Sequence, residues 1–214
     1  MFLISVVEET SPKTYRRLGA KELLAVVTWK SQFIQDRWVA EPLFKGMTGG
    51  FFVDIGAHDG VWLSNTYALE KSFGWTGILI EADELYASQI AANRNAKVLN
   101  VCLDEGYGKV QFFQTSRLDG VGGIIDTDTD TTPEVLAVRQ ASGRVRDVVE
   151  MDTLPLVDVL SEHGAPMEID YLSIDVEGAE YRILAKFPFS QYAFKAITIE
   201  RPSAALQEIL IREG

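Results

Sequence analysis

The sequence predicts an α/β fold built on a doubly wound, mostly parallel sheet, and three stretches carry that prediction. The first is GGFFVDIGAHDG, Gly49 to Gly60. There the apolar residues Phe51, Phe52, Val53 and Ile55 run straight into a turn punctuated by Gly56 and Gly60. The second is WTGILIEAD, where Ile78, Leu79 and Ile80 lead to Glu81. The third is IDYLSIDVEGAEYRIL, whose Ile169, Tyr171, Leu172 and Ile174 build a core strand ending at Asp175. Apolar strands alternating with helix-forming stretches are the pattern of crossover connections. Open sheets of this kind hold ligands at the carboxyl ends of their strands, so Asp175 and Glu177 are expected to face the same cleft as Asp54 and Glu81.

The first turn narrows the ligand. Glycine lets a ligand approach the backbone, and the helix that follows presents unpaired N–H groups to it. Glu81, at the tip of the second strand, is placed to accept hydrogen bonds from both hydroxyls of a ribose, each worth roughly 1.5 to 3 kcal/mol. A dinucleotide site wants G-x-G-x-x-G, but Gly56 and Gly60 stand in D-x-G-x-x-x-G with Asp59 between them. Asp54, Asp59 and Glu81 around one turn repel a pyrophosphate and suit a ligand carrying a sulfonium and an ammonium. S-adenosylmethionine is that ligand.

Composition limits the alternatives. The chain has 214 residues, 47% hydrophobic and 24% charged, ordinary values for a soluble domain. Its single cysteine, Cys102, excludes an internal disulfide, and a cytoplasmic setting is expected. MFLISVVEE lacks a basic leader and meets two glutamates at once, which does not read as a signal peptide. No apolar run reaches the roughly twenty residues of a membrane span. A net charge of −11 without a Lys/Arg cluster disfavours nucleic acid as partner.

In chain order, residues 1–48 are expected to form a helical N-terminal appendage to a core over 49–214. Lys21 to Val27 is helix-forming, and 31–44 places Phe33, Trp38, Val39 and Leu43 on one helix face, with Pro42 near its end. Gln32, Gln35 and Asp36 fall on its polar side, either solvated or closing over the ligand. After Gly60 a first helix runs to Gly74, and Ser64 or Asn65 caps it or bonds the amino-acid end of the cofactor. A helix is expected over Glu84–Asn93, then a third strand, KVLNVCL, with Leu103 and Asp104 at its tip beside the adenine. Gly108 to Thr115 alternates as an added strand. RLDGVGGIIDTDTDTTPE follows as a mobile loop, expected to act as a lid. Its Asp126, Asp128 and Asp130 lack the glycine and glutamate of a calcium loop. Arg144 to Glu150 reads as a strand, and VDVLSEHG as a helix whose end His163 serves. Ala196 to Ile199 forms a further strand with Glu200 at its tip, and a last helix follows Pro202.

The motifs resemble those of the FkbM family of S-adenosylmethionine-dependent methyltransferases over about residues 30 to 214. The resemblance rests on SQFIQD, GFFVDIGAHDG, SNTYALEKSFGWTGILIEAD and LSIDVEGAEY, in that order. It implies a class I, Rossmann-like methyltransferase acting on hydroxyls of sugars, glycans or macrolides. Residue by residue, it implies that Asp54, Gly56 and Gly60 shape the cofactor loop, with Ala57 and Ala82 beside the cofactor. Glu81 would hold the ribose, Asp104 would lie near the adenine, and Asp175 and Glu177 would border the methyl group. Similar proteins end in an antiparallel hairpin for which no residues remain here: either the hairpin is absent or the sequence is truncated, and a truncated sheet is expected to carry an exposed edge.

A sugar hydroxyl is a weak nucleophile, so a carboxylate base is expected, Asp175 or Glu177, with the segment 117–132 closing over the acceptor. No metal is required in that reading. A magnesium variant would use Asp175, Glu177 and Glu200. Two rivals stand beside it: a catalytically silent S-adenosylmethionine-binding scaffold, and an oxidoreductase, which the missing G-x-G-x-x-G disfavours.

Overall fold

The structure, a computed structural model, describes residues 2–5, 27–116 and 122–213; the expected helix at Lys21 to Val27 lies almost wholly outside them. A strand, β1 (Phe2–Ser5), precedes a short helix, α1 (Gln35–Trp38), which widens into a π-helical turn over Val39–Leu43 that contains Pro42. The single helix expected over 31–44 is therefore shortened. Ile34 at φ 60 breaks the approach, and Pro42, with no N–H to donate, distorts the exit.

The first crossover unit consists of β2 (Phe51–Ile55), α2 (Tyr67–Phe73) and β3 (Thr76–Ile80), and α3 (Glu84–Asn93) leads on to β4 (Lys97–Leu99). Helix α2 begins six residues later than the sequence suggests. Leu63 takes φ 52, and Ser64 Oγ accepts from the backbone N–H groups of Thr66 and Tyr67, so 61–66 forms a turn rather than a helix. Gly74 ends α2 at φ 64, and Asp83 caps α3 by accepting from Leu85 N–H at 3.0 Å.

The expected third strand splits. After Leu99 the chain leaves the main sheet, and β5 (Cys102–Leu103) joins a second one. That sheet is completed by β6 (Gly108–Thr115), β7 (Gly123–Ile124) and, beyond α4 (Pro133–Ala141), the long β8 (Val145–Leu154), in the order β5-β8-β6-β7. Next come α5 (Leu156–Glu162), β9 (Glu168–Ile169), β10 (Tyr171–Ile174), α6 (Glu180–Leu184), β11 (Ala193–Phe194), β12 (Ala196–Ile199) and α7 (Ala204–Glu213).

The main sheet has the order β1-β12-β10-β2-β3-β4, parallel except for β1. Successive residues bury opposite faces. Val53, Ile78, Leu172 and Ile197 pack with Leu160 of α5 and Leu206 of α7, whereas Phe52, Leu79 and Tyr171 pack with Leu69 and Phe73 of α2 and Ile90 of α3. The sheet is thus covered by helices on both faces, a Rossmann-like α/β architecture. Strand order reverses between β2 and β10, and a crevice is expected at that switch. The exposed edge anticipated beside β12 is not found: β1 pairs along it antiparallel, with Phe2 opposite Ile199.

Candidate active site

The turn after β2 is held from beneath by a buried polar cluster. Asp54 accepts from Thr66 Oγ1 at 2.6 Å, and Thr66 in turn accepts from Arg94 Nη2 at 3.0 Å. Arg94 Nη1 reaches the Gly60 carbonyl at 2.9 Å, and its Nε binds Glu70 at 3.0 Å. With every charge partnered, these residues fix where the glycine turn stands. Gly56, at φ 82, lies so close to the backbone carbonyl of Asp175 that an added Cβ would overlap it. That contact brings the ends of β2 and β10 together.

Two clefts meet at this point, sharing Gly56, His58, Asp175 and Glu177. The first lies between the sheet ends and the second sheet. Its walls are mainly apolar, with Ile80, Leu103, Phe112 and Ile124, and Glu81 stands among them. One Glu81 oxygen accepts from His58 N–H at 2.9 Å and the other from Asp83 N–H at 2.8 Å. Burial outweighs these bonds and pushes the carboxyl up to about 7.

The second cleft is polar, lined by Gln32, Asp54, Trp62, Asn65, Glu200 and Arg201 besides the shared residues. Asp175, Glu177 and Glu200 each bring a carboxylate oxygen within 4.8 Å of the others, a spacing that could hold a divalent cation. Burial, followed by the neighbouring Glu200 carboxylate, pushes Asp175 up to about 8, and its Oδ1 is buried without a hydrogen-bond partner. Glu177 is also raised, by burial first, and Arg201 opposes that shift. Arg201 Nη2 bridges Asp130 at 2.8 Å and Glu177 at 3.4 Å.

The residues singled out from sequence divide between these clefts. Glu81, Ala82 and Leu103 line the first, Asp54, Ala57, Ser64 and Asn65 the second, and Gly56, Asp175 and Glu177 both. Gly60 and Asp104 line neither. Asp104 is a buried carboxylate held bidentately by Arg182, through Nε at 2.8 Å and Nη2 at 2.5 Å. Arg182 also binds Asp126 at 2.9 Å and Asp128 at 3.2 Å. Two carboxylates of the acidic triplet thus partner one arginine and the third partners Arg201, which pins 122–131 over the site. Ser64 works as a cap, and Asn65 donates to Ser173 Oγ at 2.9 Å. Asp36 is fully buried and bonds Lys30 N–H and Ser31, and Gln35 accepts from Phe33 N–H, so only Gln32 of that trio reaches a cleft.

His58, Tyr86, Phe112, Ile124 and Arg201 were not singled out in the sequence, yet all line a cleft. His58 stacks on Tyr86 at 3.8 Å between ring centres. The H-D-G that follows the first turn was the available signal for His58; the others come from the second sheet, a helix interior or a strand end without local signature.

The methyltransferase FkbM domain model matches residues 54–209, a span that runs from the end of β2 into α7 and contains both clefts apart from Gln32. The chain belongs to the FkbM methyltransferase family. No curated protein and no solved structure gives a significant match. As an FkbM methyltransferase, the protein places Asp54, Asp175 and Glu177 of its matched span at the sheet switch point, where Gly56 lets the ends of β2 and β10 meet. Among the described residues, no helix is long and apolar enough to cross a membrane.

Proposed function

We propose that this chain transfers a methyl group from S-adenosylmethionine to a hydroxyl of a sugar, glycan or related small molecule. The observation that carries the reading is the junction of the two clefts at Gly56, Asp175 and Glu177, one cleft with mainly apolar walls around Glu81 and the other acidic. The residues fit the donor. Leu103, Phe112 and Ile124 offer an apolar slot for a purine, Glu81 stands in that slot as an acceptor for ribose hydroxyls, and the acids beyond Gly56 match a ligand with two cationic centres. Bound there, S-adenosylmethionine supplies a methyl group already activated by a sulfonium leaving group.

The chain's own residues do the rest. Glu81 and the apolar walls bind and orient, and the second sheet excludes water from that side. Asp175, whose buried Oδ1 lacks a partner, accepts the hydroxyl proton in its ionised form, which is more basic than an ordinary aspartate and gains population as pH rises towards about 8. Glu177 orients the hydroxyl, and Arg201 holds Glu177 against the 122–131 segment.

Calorimetric titration with S-adenosylmethionine and S-adenosylhomocysteine tests the donor, with Glu81→Ala as control. Binding by the unchanged chain that is lost in Glu81→Ala supports the reading, and no binding by the unchanged chain ends it. The spacing of Asp175, Glu177 and Glu200 favours a second reading of the acceptor side, in which a magnesium ion held by these oxygens replaces the free base. Transfer abolished by chelation and restored by Mg²⁺ decides for it; transfer indifferent to chelation decides for Asp175.

A further inference from the structure

The acidic cleft contains an indole that no motif marks, that of Trp62. Trp62 is 40% exposed, whereas Trp75 is 2% exposed in the core. An indole left in water forgoes the stabilisation its burial would bring, so its place in a cleft lined by Asp54, Asp175, Glu177, Glu200 and Arg201 calls for an explanation. Its position is fixed. The backbone N–H groups of Val61 and Trp62 both donate to Asp59 Oδ1, at 2.8 and 2.7 Å, and Leu63 holds φ 52 immediately after. The ring leans on His58, with ring centres 5.1 Å apart, and His58 is itself stacked on Tyr86. The indole is thus propped from inside the protein while much of its surface remains open to the cleft.

A ligand that suits this lining needs an apolar face for the indole and hydroxyls for Asp175, Glu200 and Arg201. A plain alcohol offers no face, and an aliphatic chain leaves the carboxylates without partners. A pyranose offers both: its axial C–H groups form one apolar face, and its hydroxyls project around the rim. We propose that Trp62 is the platform on which the acceptor's pyranose ring lies, and hence a specificity-determining residue for carbohydrate acceptors. This rests on the methyl-transfer reading above and assigns the acceptor side of that site.

The test is ligand-observed NMR titration of the full chain, saturated with S-adenosylhomocysteine, using methyl α- and β-pyranosides of glucose, mannose and galactose, with glycerol as the hydroxyl control. At least one pyranoside is expected to bind where glycerol does not. Trp62→Ala is expected to weaken that binding about tenfold or more, while Trp62→Phe stays within about threefold of the unchanged protein. S-adenosylhomocysteine affinity, measured in the same samples, is expected to stay constant and so shows that the variants are folded. Pyranoside binding that survives Trp62→Ala, or a complex that binds none of the panel, overturns the proposal while leaving the methyl-transfer reading in place. Loss of S-adenosylhomocysteine binding in Trp62→Ala assigns the ring to the cofactor and overturns it too. Failure of the unchanged chain to bind S-adenosylhomocysteine removes the reading and the proposal together.

Discussion

The two clefts share four residues but are built on opposite principles. Apart from the shared Asp175 and Glu177, the apolar cleft has one carboxylate, Glu81, set among Ile80, Leu103, Phe112 and Ile124, and two backbone N–H groups already hold it in place. The acidic cleft gathers Asp54, Asp175, Glu177 and Glu200 with Arg201 as their cation, and leaves Asp175 Oδ1 unpartnered. A site that only has to hold a ligand can satisfy its polar groups in advance. One that has to take up a proton must keep a group unsatisfied, and the fold bears the electrostatic cost of that.

Gly56→Ala should break both clefts at once, because its Cβ would overlap the Asp175 carbonyl and the residue stands at φ 82. Binding of S-adenosylhomocysteine should fall below detection and stability by roughly 2–4 kcal/mol, read by calorimetry and thermal melting. Asp175→Asn should separate the clefts, lowering the methyl-transfer rate about 10²- to 10⁴-fold while donor affinity holds; a rate equal to that of the unchanged protein sinks Asp175 as base.

Glu81→Gln acts on the other side, weakening S-adenosylhomocysteine binding about 10- to 100-fold with little effect on the rate at saturation. It also carries a pH signature. Glu81 is raised from 4.5 to about 7, so between those values the folded protein binds more protons than the unfolded chain, and stability falls as pH rises through that window. Relative to the unchanged protein, Glu81→Gln should therefore melt higher at pH 8 than at pH 5, by roughly 1–3 kcal/mol of stability. In the unchanged protein, donor affinity should drop as pH falls below about 7. Phe112→Leu should have the smallest effect, weakening donor binding less than about tenfold with an unaltered rate, since the apolar wall contributes area and not charge.

What the sequence made readable was local. The β2 turn, the β3 tip and the β10 tip each announce themselves within a dozen residues, because an apolar run, a glycine and an acid suffice to specify a strand ending at a ligand. The ion pair at Asp104 was not readable in this way. Its partner Arg182 lies on α6, and nothing near either residue in sequence signals their pairing. The same holds for Asp126, Asp128 and Asp130: their alternation suggests a cation site, but it is arginines that neutralise them. The departure of the chain from the main sheet after Leu99 was also unreadable, since KVLNVCL is as apolar as a single strand would be.

The pairing of β1 with β12 places the earliest described strand against the last one, with Ser5 opposite Ala196. β12 lies far along the chain from β1, so Phe2–Ser5 gains its partner only after the parallel strands between them have been made. Closing so long a loop comes late and slowly. The edge of β12 is therefore open to other chains in every intermediate that precedes this final zippering, which is the stage at which this protein is most exposed to aggregation.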